Sequence, residues 1–275
     1  MSPAPGSGPA GPSAPSLRVE QLAFAYPDGR QVLFGVDLEV DGGERVALLG
    51  PNGAGKTTFV LHLVGVLGAV AGGAGAGRVV VGGVELSRRT LAEVRRRVGV
   101  VFQDPDDQLF MPTVGDDVAF GPANHGLSGP VLGERVDHAL RLVGLHDAAD
   151  RAPHHLSQGQ RRRAALATVL VMEPDVLVLD EPTANLDPAG RRELTEVLQE
   201  LPTTQLVVTH DLSFALQLCP RAVLLDEGRV VADGPTRELL SDTALLHAHR
   251  LELPFGLDPL AVPPPAVRRV PGPPA

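Results

Sequence analysis

The sequence predicts an α/β fold: a mainly parallel core sheet flanked by helices, with an antiparallel β subdomain and a helical subdomain. Three observations carry that expectation. Short apolar runs at 45–49, 98–102, 176–179, 206–208 and 222–225 have the composition of strands buried on both faces. Helix-period segments at 56–67, 159–172, 188–201 and 212–218 separate several of these runs, and strands alternating with helices imply parallel pairing. Ahead of the first run, two alternating stretches flank the turn Pro27-Asp28-Gly29, as in an antiparallel hairpin.

Taken in order, 17–26 places Leu17, Val19, Leu22 and Phe24 on one side of a half-buried strand, and 32–40 resumes the alternation after the turn. The run 45–49 leads into a glycine-rich loop and the helix pattern 56–67. Residues 57–77 carry no charge, which is the length of a membrane span. Six of them are Gly, four are Ala and His62 interrupts the front half, so a span is rejected. The Gly/Ala loop 72–77 leads to Arg78-Val79-Val80-Val81, a further strand. Between 104 and 160 only helix patterns occur, at 114–120 and 131–143, and this reads as a helical insertion between two parallel strands. None of the motifs recurs, so the chain carries one copy of the unit.

Of 275 residues, 43% are hydrophobic and 21% charged, enough for a sizeable core. Proline crowds the ends, with five in the first fifteen residues and six in the last thirteen. The segments 1–16 and 261–275 therefore read as disordered tails around a folded unit at 17–260. A net charge of −9 argues against nucleic acid as the main partner. Cys219 is the only cysteine, which excludes a disulfide framework and fits a reducing compartment. The first sixteen residues hold neither a basic nor an apolar export region.

Gly50-Pro51-Asn52-Gly53-Ala54-Gly55-Lys56-Thr57 fits G-x-x-x-x-G-K-[ST], between an apolar strand and a helix pattern. Glycines let backbone N–H groups converge on phosphates, and the helix aims its positive end at them. Lys56 would bridge the β- and γ-phosphates of a nucleoside triphosphate, and the Thr57 hydroxyl would bind Mg²⁺. Two Gly, a Lys and a Ser/Thr at this spacing arise by chance in roughly one chain in a hundred. Twenty-three of the 24 basic residues are arginine and Lys56 is the sole lysine. A compact ammonium is thus kept at the one site where a planar guanidinium is a poor substitute.

The run 176–179 ends in Asp180-Glu181. Successive strand residues point to opposite sides, so the two acids are expected to act separately: Asp180 on Mg²⁺, directly or through water, and Glu181 orienting a water. Val207-Val208-Thr209 ends in His210, and the run 98–102 ends in Gln103. Both tips fall at carboxyl ends of parallel strands, where ligands of open α/β sheets gather. Gln103 would contact Mg²⁺ or the attacking water. Leu156-Ser157-Gln158-Gly159-Gln160 precedes a helix and a triple arginine; Ser157 there is an N-cap, an anion site, or both. The triple arginine has a nucleic-acid patch as its alternative reading, which the acidic balance disfavours. His154 and His155, adjacent at a helix entry, make weak metal ligands together.

Together these residues resemble the ABC-type ATPase family from about Leu17 to about Pro254. Residues 50–57 match its Walker A loop, Gln103 the Q-loop, 156–160 the signature sequence, 176–181 Walker B, 184–187 the D-loop and His210 the switch histidine. Gln158 departs from the more usual Gly. The resemblance implies ATP with Mg²⁺ as cofactors, held by Tyr26 against adenine and by Gly50, Pro51, Asn52, Gly53, Ala54, Gly55, Lys56, Thr57 and Thr58. Thr57, Gln103 and Asp180 would hold the metal, and Glu181, His210 and Gln103 would act in hydrolysis. Ser157, Gly159 and Gln160 would close on the ATP of a second copy, making a homodimer or a heterodimer with a paralogous ATPase. Stretches 101–110, 113–114, 117–122, 153–157 and 233–236 are similar to the ATPase subunits of cobalt/nickel and energy-coupling-factor transporters. That narrower likeness implies an integral membrane partner docked near 104–110 and a place on the cytoplasmic face of the cell membrane. The rivals are another ABC importer, a non-transport ABC ATPase, and a P-loop kinase of small molecules, which would not need 156–160 or His210.

Overall fold

Alternate residues of five parallel strands pack to opposite sides of one sheet, and each side has a separate core. The computed structural model describes residues 15–68 and 75–265. The six-stranded sheet is formed by β3 (Arg45–Leu49), β6 (Val98–Val101), β7 (Val176–Asp180), β8 (Thr204–Val208), β9 (Arg221–Asp226) and β10 (Arg229–Pro235). Its order is β10-β9-β3-β8-β7-β6; all neighbours are parallel except β10, which closes one edge antiparallel to β9. Because β3, β6, β7 and β8 run the same way, their carboxyl ends share one rim of the sheet.

One side buries Leu49, Leu179 and Val207 against α5 (Gln158–Leu170), α6 (Pro188–Glu200) and α7 (Leu212–Leu218), through Leu166, Leu194 and Phe214. The other buries Leu48, Val178 and Val208 against Phe59 of α1 (Lys56–Leu63). It also packs on the antiparallel sheet of β1 (Leu17–Ala25), β2 (Gln31–Val40), β4 (Gly75–Val81) and β5 (Val84–Glu85), ordered β2-β1-β4-β5. Each such Leu or Phe contributes about 1.5–3 kcal/mol through burial, so the sheet's rim is held rigid from both sides. Between β6 and β7, which pair directly, the chain inserts α3 (Val114–Asn124) and α4 (Gly129–Leu142) beside α5.

The helix expected over 56–67 stops at Leu63. The N–H groups of Val66 and Leu67 turn back to the Leu61 carbonyl, and Gly65 takes φ 62°, a left-handed conformation that ends the helix. Beyond β5, one strand and three α-helices have no counterpart in the sequence reading: β10, α2 (Leu91–Arg97), α8 (Thr236–Ser241) and α9 (Thr243–Ala248). The expected tails lie mostly outside the described residues, as does part of the Gly/Ala loop. No helix among the described residues is long and apolar enough to cross a membrane.

Candidate functional site

The loop after β3 is shaped by close backbone approach. A Cβ on Gly50 would lie 2.0 Å from the Leu225 carbonyl oxygen, so no other residue fits against β9 there. Gly55 takes φ 102° immediately before α1, whose first turn has neither a side-chain cap nor an acid. The positive end of α1 therefore faces the loop with no acid in the helix's own first turn. Lys56 is buried, and its Nζ donates to the Gly50 carbonyl at 2.6 Å and the Pro51 carbonyl at 3.0 Å. Burial pushes its pKa down, while the carboxylates of Glu181 and Asp180 pull it back up. This is a desolvated cation facing an acidic rim, a cradle for an anion that brings its own divalent cation.

A cleft of about 280 Å³ gathers Tyr26, Asn52, Gly53, Ala54, Gly55, Lys56, Thr57, Thr58, Gln103, Asp180 and Glu181. Arg30 and Val32 also line it, and the sequence reading did not single them out. The Tyr26 hydroxyl is 3.1 Å from Thr58 Oγ1, and the Arg30 guanidinium lies 5.6 Å from the centre of the Tyr26 ring. Thr57 is exposed to the cleft, in contrast to the buried Thr58. Asp180 titrates above the ordinary carboxylate range, first because it is buried and then because Glu181 is close; Lys56 opposes the shift. A hydroxyl, an amide and one carboxylate are hard oxygen donors. Such a set suits Mg²⁺, which takes few protein ligands and completes its shell with phosphate oxygens and water.

Asp180 and Glu181 line the same cleft, contrary to the expectation that they face opposite sides. The reason is local: β7 ends at Asp180, and Glu181 takes φ 45°, which breaks the alternation. Its side chain turns to the end of β8. Oε2 accepts from the Thr209 hydroxyl at 3.1 Å; Oε1 accepts from the His210 backbone N–H at 3.1 Å and meets His210 Nδ1 at 2.7 Å. His210 itself is outside the cleft lining, with its side chain 66% exposed.

Ser157, Gly159 and Gln160 do not line the cleft. They form a capping box at the start of α5: Ser157 Oγ accepts from Gln160 N, and Gln160 Oε1 accepts from Ser157 N. Gln158, the departure from the family pattern, lines a neighbouring cavity with Gln103, Asp180 and Asn185. The triple arginine is not a free cationic face. Arg161 pairs with Asp106, Arg163 with Glu193, and Arg162 is 1% exposed. The Arg162 guanidinium donates to the carbonyls of Phe102 at 3.0 Å, Gln103 at 2.5 Å and Ala184 at 3.2 Å. One buried cation thus ties the backbone after β6 to the backbone after β7 from the first turns of α5. The sequence held no signal separating it from its two neighbours.

Comparison with known proteins points to one family. The profile of the family described as "ABC transporter" matches residues 33–184. A Streptomyces avermitilis protein, named provisionally as an ABC transporter ATP-binding protein, is 64% identical over 95% of this chain and 98% of its own length. The energy-coupling factor transporter ATP-binding protein EcfA of Carboxydothermus hydrogenoformans is 46% identical over 87% of this chain and 88% of its own. Among solved structures, cbiO1 of Clostridium perfringens, part of the ABC transporter complex cbiONQ, superposes with a TM-score of 0.76 at 38% identity. That match covers 85% of this chain and 94% of cbiO1.

Proposed function

Since the chain belongs to the ABC transporter family as an ATP-hydrolysing, ATP-binding subunit, we propose that it energises uptake of cobalt, nickel or another energy-coupling-factor substrate. The likeness to EcfA and to cbiO1 supports this cargo class. An importer of a different substrate is the second reading, favoured by the relatives named only as ABC transporter subunits.

One observation carries the mechanism: Lys56, Thr57, Gln103, Asp180 and Glu181 meet in a single cleft from which Ser157 and Gly159 are missing. The phosphate cradle and the signature helix end of one chain therefore serve different ATP molecules. The working unit is a dimer, of this chain or with a paralogue, closed around two ATPs. Residues 50–58 bind the triphosphate, with Lys56 exchanging its loop carbonyls for β- and γ-phosphate oxygens. Tyr26 stacks on adenine. Thr57 and Asp180, with Gln103, would hold Mg²⁺, which would supply charge neutralisation to the phosphates. Glu181 takes the proton of the attacking water, and this requires that it release His210, which then turns to the γ-phosphate. Such catalysis is chiefly positioning and electrostatic stabilisation.

The membrane partner docks at 104–110, where Phe110 is 61% exposed and stacks edge-on against exposed Phe120 with ring centres 5.0 Å apart. The chain then sits on the cytoplasmic face of the membrane. The deciding experiment is Glu181→Gln. We expect hydrolysis to fall about 100-fold or more, nucleotide binding to persist, and ATP to trap a stable dimer. Hydrolysis at the wild-type rate would remove Glu181 from its role.

A further inference from the structure

The phosphate loop rests on the turn that joins β9 to β10. The Leu225 carbonyl oxygen closes against Gly50, and the Gly228 N–H donates to the Ala54 carbonyl at 3.0 Å. On its other side the same turn meets β2 where that strand contributes Val32 to the nucleotide cleft. The Gly228 carbonyl accepts from the Phe34 N–H at 3.0 Å, and a Cβ on Gly228 would lie 2.0 Å from the Val32 carbonyl oxygen. The turn is therefore wedged between the loop and β2.

Its conformation is demanding. Glu227 and Gly228 take φ 47° and 71°, the two successive left-handed residues that a two-residue hairpin of type I′ requires, and Glu227 does so with a side chain. Asp226, 7% exposed, holds the turn in place. Its Oδ1 accepts from the Glu227 N–H at 3.0 Å and from the Arg250 guanidinium at 3.0 Å, and its Oδ2 meets His249 Nδ1 at 2.9 Å. Both side-chain partners follow directly on α9, so the end of that helix is tied to the turn. Burial pushes the Asp226 carboxyl up; the hydrogen bonds from His249 and Arg250, with the Arg250 charge, more than offset this and leave it below its ordinary value. The group is thus ionised at neutral pH, and hydrogen bonds to a charged acceptor are the stronger kind.

We propose that Asp226, clamped by His249 and Arg250, is a positioning residue for the nucleotide: it fixes the turn 226–229 and, through Leu225 and Gly228, the place of the 50–54 backbone that receives the phosphates. None of the three residues lines the cleft, so the effect is transmitted through the turn. Hydrogen bonds from backbone N–H groups weaken beyond about 3.2 Å, so even a small displacement of the loop is felt as lost affinity.

This role presupposes that residues 50–58 are the triphosphate cradle, and Lys56→Ala serves as the control for that reading. MgADP, which needs no hydrolysis and no second copy, is titrated into the full chain by calorimetry. Asp226→Asn keeps the side chain's shape and removes its charge, and we expect Kd to rise about tenfold with one nucleotide still bound per chain. His249→Gln/Arg250→Gln, at a half-buried and an exposed position, should reproduce the rise and carries the test should Asp226→Asn not fold. Combining all three substitutions should add less than about twofold more, because the groups act as one unit. A merely structural role predicts a lower melting temperature with Kd unchanged at a temperature where the chain is folded. That result, or additive effects, overturns the proposal. If Lys56→Ala loses MgADP while the clamp variants keep the wild-type Kd, the cradle reading stands and the clamp falls; if Lys56→Ala binds as wild type does, both fall.

Discussion

Asp180 is held in the fold at a cost. Burial and the neighbouring Glu181 carboxylate raise its pKa above the ordinary value, and Lys56 compensates only in part. A raised carboxyl binds its proton more tightly in the folded than in the unfolded chain, so its ionisation removes stability as the pH rises. The loss is complete above the folded pKa and is absent below about pH 4, where both states are protonated. We therefore expect Asp180→Asn to melt at a higher temperature than wild type at pH 7 without nucleotide, with the difference vanishing near pH 4. Mg²⁺ with ATP should reverse the order, because only the wild type presents the carboxylate. Scanning calorimetry at the two pH values checks this, and a variant less stable than wild type at pH 7 would contradict it. Legibility at this scale follows chemistry. Lys56 could be read because a single lysine in an arginine-rich chain sits in a local motif with one purpose. Arg162 could not, because its partners are carbonyls of Phe102, Gln103 and Ala184, brought to it by the ends of two separate strands, β6 and β7.

The start of α5 combines two demands on one residue. Ser157 caps the helix through Gln160, and removal of such a cap costs about 1 kcal/mol. It also holds the position that the second ATP's γ-phosphate is proposed to meet. Ser157→Ala confounds the two roles, but Ser157→Asp separates them, since aspartate caps as well as serine and favours the positive helix end. We expect Ser157→Asp to keep wild-type thermal stability and lose at least tenfold in turnover, its charge opposing the phosphate. Wild-type turnover in a steady-state ATPase assay would leave Ser157 a cap alone. The elements that escaped the sequence reading share a cause. β10 alternates between exposed and half-buried and is fixed by pairing with β9, and α2 buries only Val94 among seven residues. Neither carries a local apolar period of its own. The buried strands β3 and β7 do, and they were readable to within a residue.

At the scale of the whole molecule, the parallel sheet puts four functional loops on one rim, and this follows from strand direction alone. What it does not do is bring the N-terminus of α5 over the cleft. Within one chain, the cradle of Lys56 and Thr57 has no counterpart on the far side of a bound γ-phosphate. Hydrolysis should accordingly be second order in protein when the chain is dilute. Below the dimer dissociation constant, tenfold dilution should lower turnover per chain about tenfold, and at high concentration the rate per chain should level off. Glu181→Gln, measured in the same series by analytical ultracentrifugation with ATP, should show the dimer fraction rising over the same concentrations. The shape of the rate curve is informative beyond its slope. A chain that pairs only with a paralogue would stay slow at every concentration until that paralogue is added, and would then saturate at a one-to-one ratio. A rate per chain that is substantial, independent of concentration and accompanied by a strictly monomeric sedimentation profile would mean that one chain completes its own site, against the separation of Ser157 from Lys56 seen here.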